Sequence, residues 1–147
     1  MKKLFLIAGV AIIMSVITGC QCPFCECKTC KSAPTVKSDF KMLSTEEFKN
    51  IVDKKSSLIF DARTGKYDNG ERIPGAKSLS AASSAEEVTN AIPDKNASIV
   101  TYCANPKCPA SAALAEHLKK LGYTNIMEYP EGIDGWIKAG NKVDKVK

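Results

Sequence analysis

The sequence predicts an α/β fold: one small parallel sheet with helices on both faces. Three observations predict it. Short apolar runs at residues 57–60, 99–102 and 125–129 alternate along the chain with helical patterns, and that alternation marks parallel strands joined by crossover helices. Two of the helical patterns open on capping boxes, Ser44 with Glu47 and Ser84 with Glu87, where each side chain satisfies a backbone N–H of the other residue. The chain has 147 residues, 44% hydrophobic and 25% charged, which suits one globular domain with a real core.

Taken in order, the chain opens with Lys2 and Lys3 ahead of an apolar run at residues 4–17. That run is too short to span a bilayer comfortably and long enough for a signal-peptide core. It ends Val16-Ile17-Thr18-Gly19-Cys20, which resembles the lipobox of bacterial lipoproteins. The resemblance implies a signal peptide at 1–19 and acylation of Cys20 as the first mature residue. Two or more acyl chains would then give a stable membrane anchor. Gln21, not Asp, follows Cys20. The implied address is the cell envelope, on the periplasmic side, with the outer membrane as one destination.

Residues 20–38 are poor in large apolar side chains and show no period, so they read as a tether. Inside it stand Cys22, Cys25, Cys27 and Cys30, two C-x-x-C pairs one residue apart. Four thiolates can hold a tetrahedral metal, although structural zinc sites usually separate their pairs by a dozen or more residues. Two local disulfides suit an oxidising compartment. A thiol relay is the third reading, and the spacing leaves all three open.

The globular domain is expected over 39–147. Leu43 and Phe48 flank the first capping box as a hydrophobic staple, and the helix they open runs to about Asp53. A strand at 57–60 ends at Asp61. Ile73-Pro74-Gly75-Ala76 is a turn leading to a short strand near Leu79. The second capping box opens a helix that ends before Pro93. A buried strand at 99–102 leads to Cys103. Pro109 suits the first position of a helix. That helix carries Ala110, Ala113, Leu114, Leu118 and Leu121 on one stripe and stops at Gly122. A strand at 125–129 and a last short helix holding Trp136 complete the pattern. No internal repeat is visible.

Cys103 carries the chemistry. It lies between a strand and a helix N-terminus, where open α/β sheets place ligands and where N–H groups and the helix dipole favour negative charge. An ordinary thiol, with pKa about 8.5, is only a few per cent ionised at neutral pH. Lowering that pKa by roughly two units makes most of it thiolate. His117 is the only histidine and stands near the apolar stripe of its helix, where a partly buried core role fits. No Ser-His-Asp triad and no Gly-rich phosphate loop is present. The net charge of +5 falls to +3 once Lys2 and Lys3 are removed with the signal peptide. The remaining charge is too weak and scattered to argue for nucleic acid.

Four segments in order resemble the rhodanese (sulfurtransferase) domain. Leu58-Ile59-Phe60-Asp61-Ala62-Arg63 is similar to the family's strand ending in Asp-x-Arg. Gly70-Glu71-Arg72-Ile73-Pro74-Gly75-Ala76 is similar to its Gly-His-Ile-Pro-Gly-Ala segment, with Arg72 in place of His. Val100-Thr101-Tyr102-Cys103 is similar to the strand entering the active-site loop. Leu121-Gly122-Tyr123 and Glu131-Gly132-Ile133-Asp134-Gly135-Trp136 are similar to the closing signatures.

The resemblance implies sulfur transfer through a Cys103 persulfide, with no cofactor required. The donor is a small sulfur anion such as thiosulfate or a polysulfide, and the acceptor is a thiol or cyanide. The loop residues Ala104, Asn105, Pro106, Lys107 and Cys108 would form an anion nest. Lys107 would attract the leaving anion, and Ser111 would add a hydrogen bond. Asp61 and Arg63 read as structural support for the loop. The loop is longer than the family's common one, and Cys108 stands near the place of its terminal Arg. Phosphatase relatives need that Arg for bidentate phosphate binding, so phosphatase chemistry is disfavoured. Cys108 opens an alternative, a thiol–disulfide redox protein, if its Cα lies within about 7 Å of that of Cys103. A non-catalytic binding module is the remaining alternative.

Overall fold

A computed structural model describes residues 39–146. The expected signal peptide, the lipidation site Cys20 and the cluster Cys22, Cys25, Cys27 and Cys30 lie outside the described residues. A short edge strand, β1 (Lys41–Met42), leads into helix α1 (Thr45–Lys54). Both halves of its capping box form: the Glu47 N–H donates to Ser44 Oγ at 3.2 Å, and the Ser44 N–H donates to the Glu47 carboxylate at 2.9 Å. Leu43 and Phe48 are buried in one cluster, as the staple requires. Helix α2 (Ala85–Ala91) opens on the same device, with Ser84 and Glu87 bonded reciprocally.

The central strands are β2 (Leu58–Asp61), β4 (Ala76–Ser78), β5 (Ile99–Tyr102) and β6 (Ile126–Tyr129). With β1 they form one five-stranded sheet in the order β1-β6-β5-β2-β4, every pair parallel. The expected fold class is therefore observed. Two further elements, β3 (Glu71–Arg72) and β7 (Asp144–Lys145), pair antiparallel outside the main sheet. The strand expected near Leu79 sits at Ala76–Ser78.

Helix α3 (Ala110–Lys120) and α2 cover one face of the sheet, and α1 and α4 (Gly132–Lys138) cover the other. Alternation along β5 sorts its side chains: Ile99 joins Leu114, Ala115, Leu118, Val88 and Ile92 on the first face. Val100 and Tyr102 join Phe48, Tyr129, Ile133 and Trp136 on the second. On α3 the buried stripe is Ser111, Leu114, Ala115 and Leu118. This differs from the expected stripe, because Ala113 faces solvent and a serine takes an inward position. No described helix is long and apolar enough to cross a membrane.

The strand order fixes where a ligand crevice falls. The chain leaves β2 toward β4 on one side and leaves β5 toward β6 on the other. Between β2 and β5 the two connections diverge, and a crevice opens beyond the carboxyl ends of adjacent strands at such a switch point.

Candidate active site

A cavity of about 450 Å³ occupies that crevice. From the segment after β2 it is lined by Ala62, Arg63, Thr64 and Tyr67. From the segment after β5 it is lined by Cys103, Ala104, Asn105, Lys107, Cys108, Pro109 and Ala110. The residue singled out by the sequence and its loop thus meet a wall built from the Asp-x-Arg segment.

The loop is held by its carbonyl groups. The N–H of Ile133 donates to the Cys103 carbonyl, and that of Asp134 donates to the Ala104 carbonyl, both at 3.0 Å. Each carbonyl shares a peptide plane with the next N–H, which points the opposite way. Pinning the two carbonyls on α4 therefore turns the Ala104 and Asn105 N–H groups away from it. Gly132 makes this approach possible. Its φ is +64, and a Cβ there would lie 2.5 Å from the carbonyl carbon and oxygen of Ala104 and 2.6 Å from the Cys103 oxygen. Asn105 adds a side-chain tie to Asp134 at 3.1 Å, and its own Oδ1 accepts the Lys107 N–H at 3.1 Å. Among the described residues no side chain caps the N-terminus of α3, which leaves its first N–H groups open to an anion there.

Cys103 is not a free thiolate in this structure. It forms a disulfide with Cys108, with the two Cα atoms 6.3 Å apart. The separation meets the bound set for the redox alternative, and an ionised sulfur at Cys103 requires this bond to be opened first. The cause is local: the Cys108 N–H returns to the Asn105 carbonyl at 3.0 Å, and that turn folds the loop back on its start.

Two other expected loop contacts differ. Ser111 is buried and donates to Glu128 at 2.7 Å, so its hydroxyl is committed below the loop rather than to a substrate. Its placement in the sequence gave no sign of Glu128, which comes from another strand. Pro106 is exposed and does not line the cavity. His117 is half-buried, with Nε2 3.0 Å from the Ser83 carbonyl.

Asp61 and Arg63 do brace the wall. The Arg63 Nε and Nη2 donate to the Asp61 carboxylate at 2.8–3.1 Å. Nη1 reaches the Tyr67 carbonyl and Asn69, and Nη2 also reaches the Glu71 carbonyl. All five guanidinium donors thus point at protein acceptors, which leaves none for a substrate. Burial alone would lower the Arg63 pKa, but hydrogen bonds and attraction to Asp61 raise it overall. Arg72 extends the network. It lies 3.3 Å from Asp61 and 2.5 Å from Asp68, and its hydrogen bonds push Asp68 down to about 2. Tyr102 closes it, donating to Asp61 at 2.8 Å and accepting the Ile73 N–H at 3.2 Å. Burial and the Asp61 charge push that phenol up, so it stays a donor. Sequence reasoning missed Tyr67 and the parts that Arg72 and Tyr102 play around Asp61. The departure at Arg72 and its four-residue spacing from Asp68 were the available signals.

Lys107 lines the cavity and has no ion-pair partner among the described residues. No group of three or more His, Cys, Asp or Glu among the described residues is placed to hold a metal ion.

The rhodanese-like domain model matches residues 44–139, a span that contains the whole of this site. The chain belongs to the rhodanese-like domain family. A search of curated proteins finds no match. Among solved structures, a Bacillus halodurans protein is similar at 23% identity and a TM-score of 0.64, over 71% of this chain and 77% of that one. A thiosulfate sulfurtransferase from Pseudomonas aeruginosa is similar at 21% identity and a TM-score of 0.58, over 74% of this chain but only 21% of that larger one. A rhodanese-related protein from Thermoplasma volcanium is similar at 21% identity and a TM-score of 0.54, over 71% and 98%. At these identities the likeness establishes the fold. Within this rhodanese-like domain, Arg72 is a partner of both Asp61 and Asp68.

Proposed function

We propose that this rhodanese-like domain is a sulfurtransferase that carries sulfane sulfur on Cys103, once a reductant has opened the disulfide. The observation that carries the reading is the position of Cys103: it directly follows β5 beside the switch-point cavity, on a loop whose carbonyls are tied down to α4. The Cys103 thiolate attacks the outer sulfur of a donor such as thiosulfate. The S–S bond of the donor breaks, sulfite departs, and a persulfide remains. Cyanide or a thiol then takes the outer sulfur and restores the thiolate. Ala104 and Asn105 N–H groups and the uncapped start of α3 supply fixed dipoles for the anionic sulfur. Lys107 supplies the mobile positive charge for the leaving anion.

The test is the mass of the reduced protein after thiosulfate, mapped to peptides. The reading expects one added sulfur on the peptide holding Cys103, thiocyanate on addition of cyanide, and neither in Cys103→Ser. A reduced wild-type protein that takes up no sulfur at Cys103 refutes it.

The same proposal places the domain at the cell envelope through an acylated Cys20, joined by a tether whose Cys22, Cys25, Cys27 and Cys30 hold disulfides, a metal or relayed sulfur. Labelling with a radioactive fatty acid, lost in Cys20→Ser, is the expected result. Equal labelling of both forms argues against the anchor.

A further inference from the structure

The sulfur-transfer scheme proposed above has no task for Cys108, yet the structure bonds it to Cys103. We infer that Cys108 is a resolving thiol, which converts the bound sulfane sulfur to hydrosulfide instead of leaving it for an external acceptor. The inference rests on the Cys103 persulfide proposed above.

The atom that Cys108 reaches decides the outcome. In a Cys103 persulfide, Sγ of Cys103 is the inner sulfur and the cargo is the outer one. The structure joins Cys108 Sγ to Cys103 Sγ itself, so Cys108 is placed to attack the inner sulfur. Attack there forms the Sγ–Sγ bond and breaks the bond from Sγ to the outer sulfur. The outer sulfur leaves with the electron pair and takes the Cys108 proton, departing as HS⁻. The sulfane sulfur is reduced by two electrons, and the two cysteines are oxidised to the observed disulfide. A dithiol reductant then reopens that disulfide by exchange. The sum for thiosulfate is thiosulfate plus a dithiol giving sulfite, hydrosulfide, a disulfide and one proton.

Three further features support this assignment. Cys103 is only 2% exposed, which hinders a bulky external thiol at the inner sulfur and leaves an internal one unhindered. The Cys108 N–H to Asn105 carbonyl bond, and the Lys107 N–H to Asn105 Oδ1 bond, form the turn that carries Cys108 back to the start of the loop. An attacking group held this way acts at a high effective concentration. Both cysteines also line the same cavity, where the outgoing anion has space and Lys107 at the wall.

The test uses the full chain, with Cys22, Cys25, Cys27 and Cys30 changed to Ser so that tether thiols cannot substitute. The protein is reduced with dithiothreitol, freed of it, and given thiosulfate. Hydrosulfide is then measured, and tryptic peptides are mapped. Trypsin cuts after Lys107, between the two cysteines, so the disulfide appears as a linked pair of peptides. The expected result is about one hydrosulfide per chain, set by a single disulfide formed per turnover, together with the linked pair. In Cys108→Ser, release is expected to fall by ~100-fold or more, and the added sulfur stays on the Cys103 peptide. Hydrosulfide release by Cys108→Ser at the wild-type rate overturns the inference. So does a Cys108-containing protein that keeps the sulfur on Cys103 without forming the linked pair. If Cys108→Ser gains no sulfur on Cys103 at all, the persulfide reading falls, and this inference falls with it.

Discussion

Gly132→Ala is the perturbation whose effect is best worked from the structure. The added Cβ would lie 2.5 Å from backbone atoms of Ala104, whereas ordinary contact begins at 3.4 Å. The loop must therefore retreat by roughly 1 Å. The atoms displaced are carbonyls that accept from Ile133 and Asp134 at 3.0 Å, so the retreat stretches both bonds beyond useful length. Losing two such bonds costs about 1 kcal/mol each. The left-handed backbone of residue 132 adds about 1–2 kcal/mol for any residue with a Cβ. The total is about 3–4 kcal/mol. Gly140→Ala is the control, because its φ is +77 and nothing among the described residues lies within 4 Å of the added atom, so it should lose only the backbone part, about 1–2 kcal/mol. Urea unfolding of the reduced proteins measures both. Alkylation of reduced Cys103 reports the loop, and a 1 Å displacement at a reacting group is expected to change rates by up to ~100-fold. If the two variants agree within about 0.5 kcal/mol and Cys103 reacts at the wild-type rate in both, Gly132 does not position the loop.

Two further perturbations separate structural from chemical roles. The Asp68 carboxyl is shifted from 3.8 to about 2, first by its hydrogen bonds from Arg72. Because the folded value is the lower one, this stability is present above pH 3.8 and fades as pH falls through about 2. With Asp68 about a quarter exposed, the contribution is on the order of 1–2 kcal/mol. Unfolding measured against pH should show wild type exceeding Asp68→Asn by that margin at pH 6, with the gap closing toward pH 2; a gap that persists in acid contradicts the pairing. Ser111→Ala removes the one donor to the Glu128 carboxylate among the described residues, where its Oε2 has no partner. It should cost about 1.5–3 kcal/mol, largely restored by adding Glu128→Gln, with sulfur uptake by Cys103 maintained. Lost uptake at unchanged stability would return Ser111 to the substrate site.

The sequence made local features legible and left long-range ones hidden. Both capping boxes, the staple at Leu43 and Phe48, and the strand–loop–helix passage around Cys103 are set by neighbours a few residues apart, and all appear as expected. The two-residue strands β1, β3 and β7 have no period to read, because pairing with a distant partner is all that defines them. Ser111 looked like a first-turn serine facing substrate. Its partner Glu128 lies across the α3–β6 packing, and no pattern within the helix indicates that. Arg72 was visible as a departure from the family residue, but its double pairing with Asp61 and Asp68 needed the fold. Gly132 was visible as part of a closing signature segment, whereas its close approach to Ala104 was not.

The distribution of charge around the cavity favours one class of donor over another. Arg63 spends every donor on the protein, and Arg72 is turned to Asp61 and Asp68. Ala62, Ala104, Pro109 and Ala110 supply apolar wall. Among the described lining residues, Lys107 is then the one cation free to meet an anion. Thiosulfate, a compact dianion, depends on that charge more than a polysulfide does, whose charge is spread to the ends of a longer chain with apolar middle sulfurs. For an exposed lysine the attraction is on the order of 1 kcal/mol, or about fivefold in binding, and salt screens it. Lys107→Gln should therefore raise the KM for thiosulfate about fivefold at low ionic strength, while polysulfide use changes little and the difference shrinks in salt. An equal loss with both donors would mean that Lys107 acts through the loop's shape, since Coulomb attraction alone distinguishes the two anions.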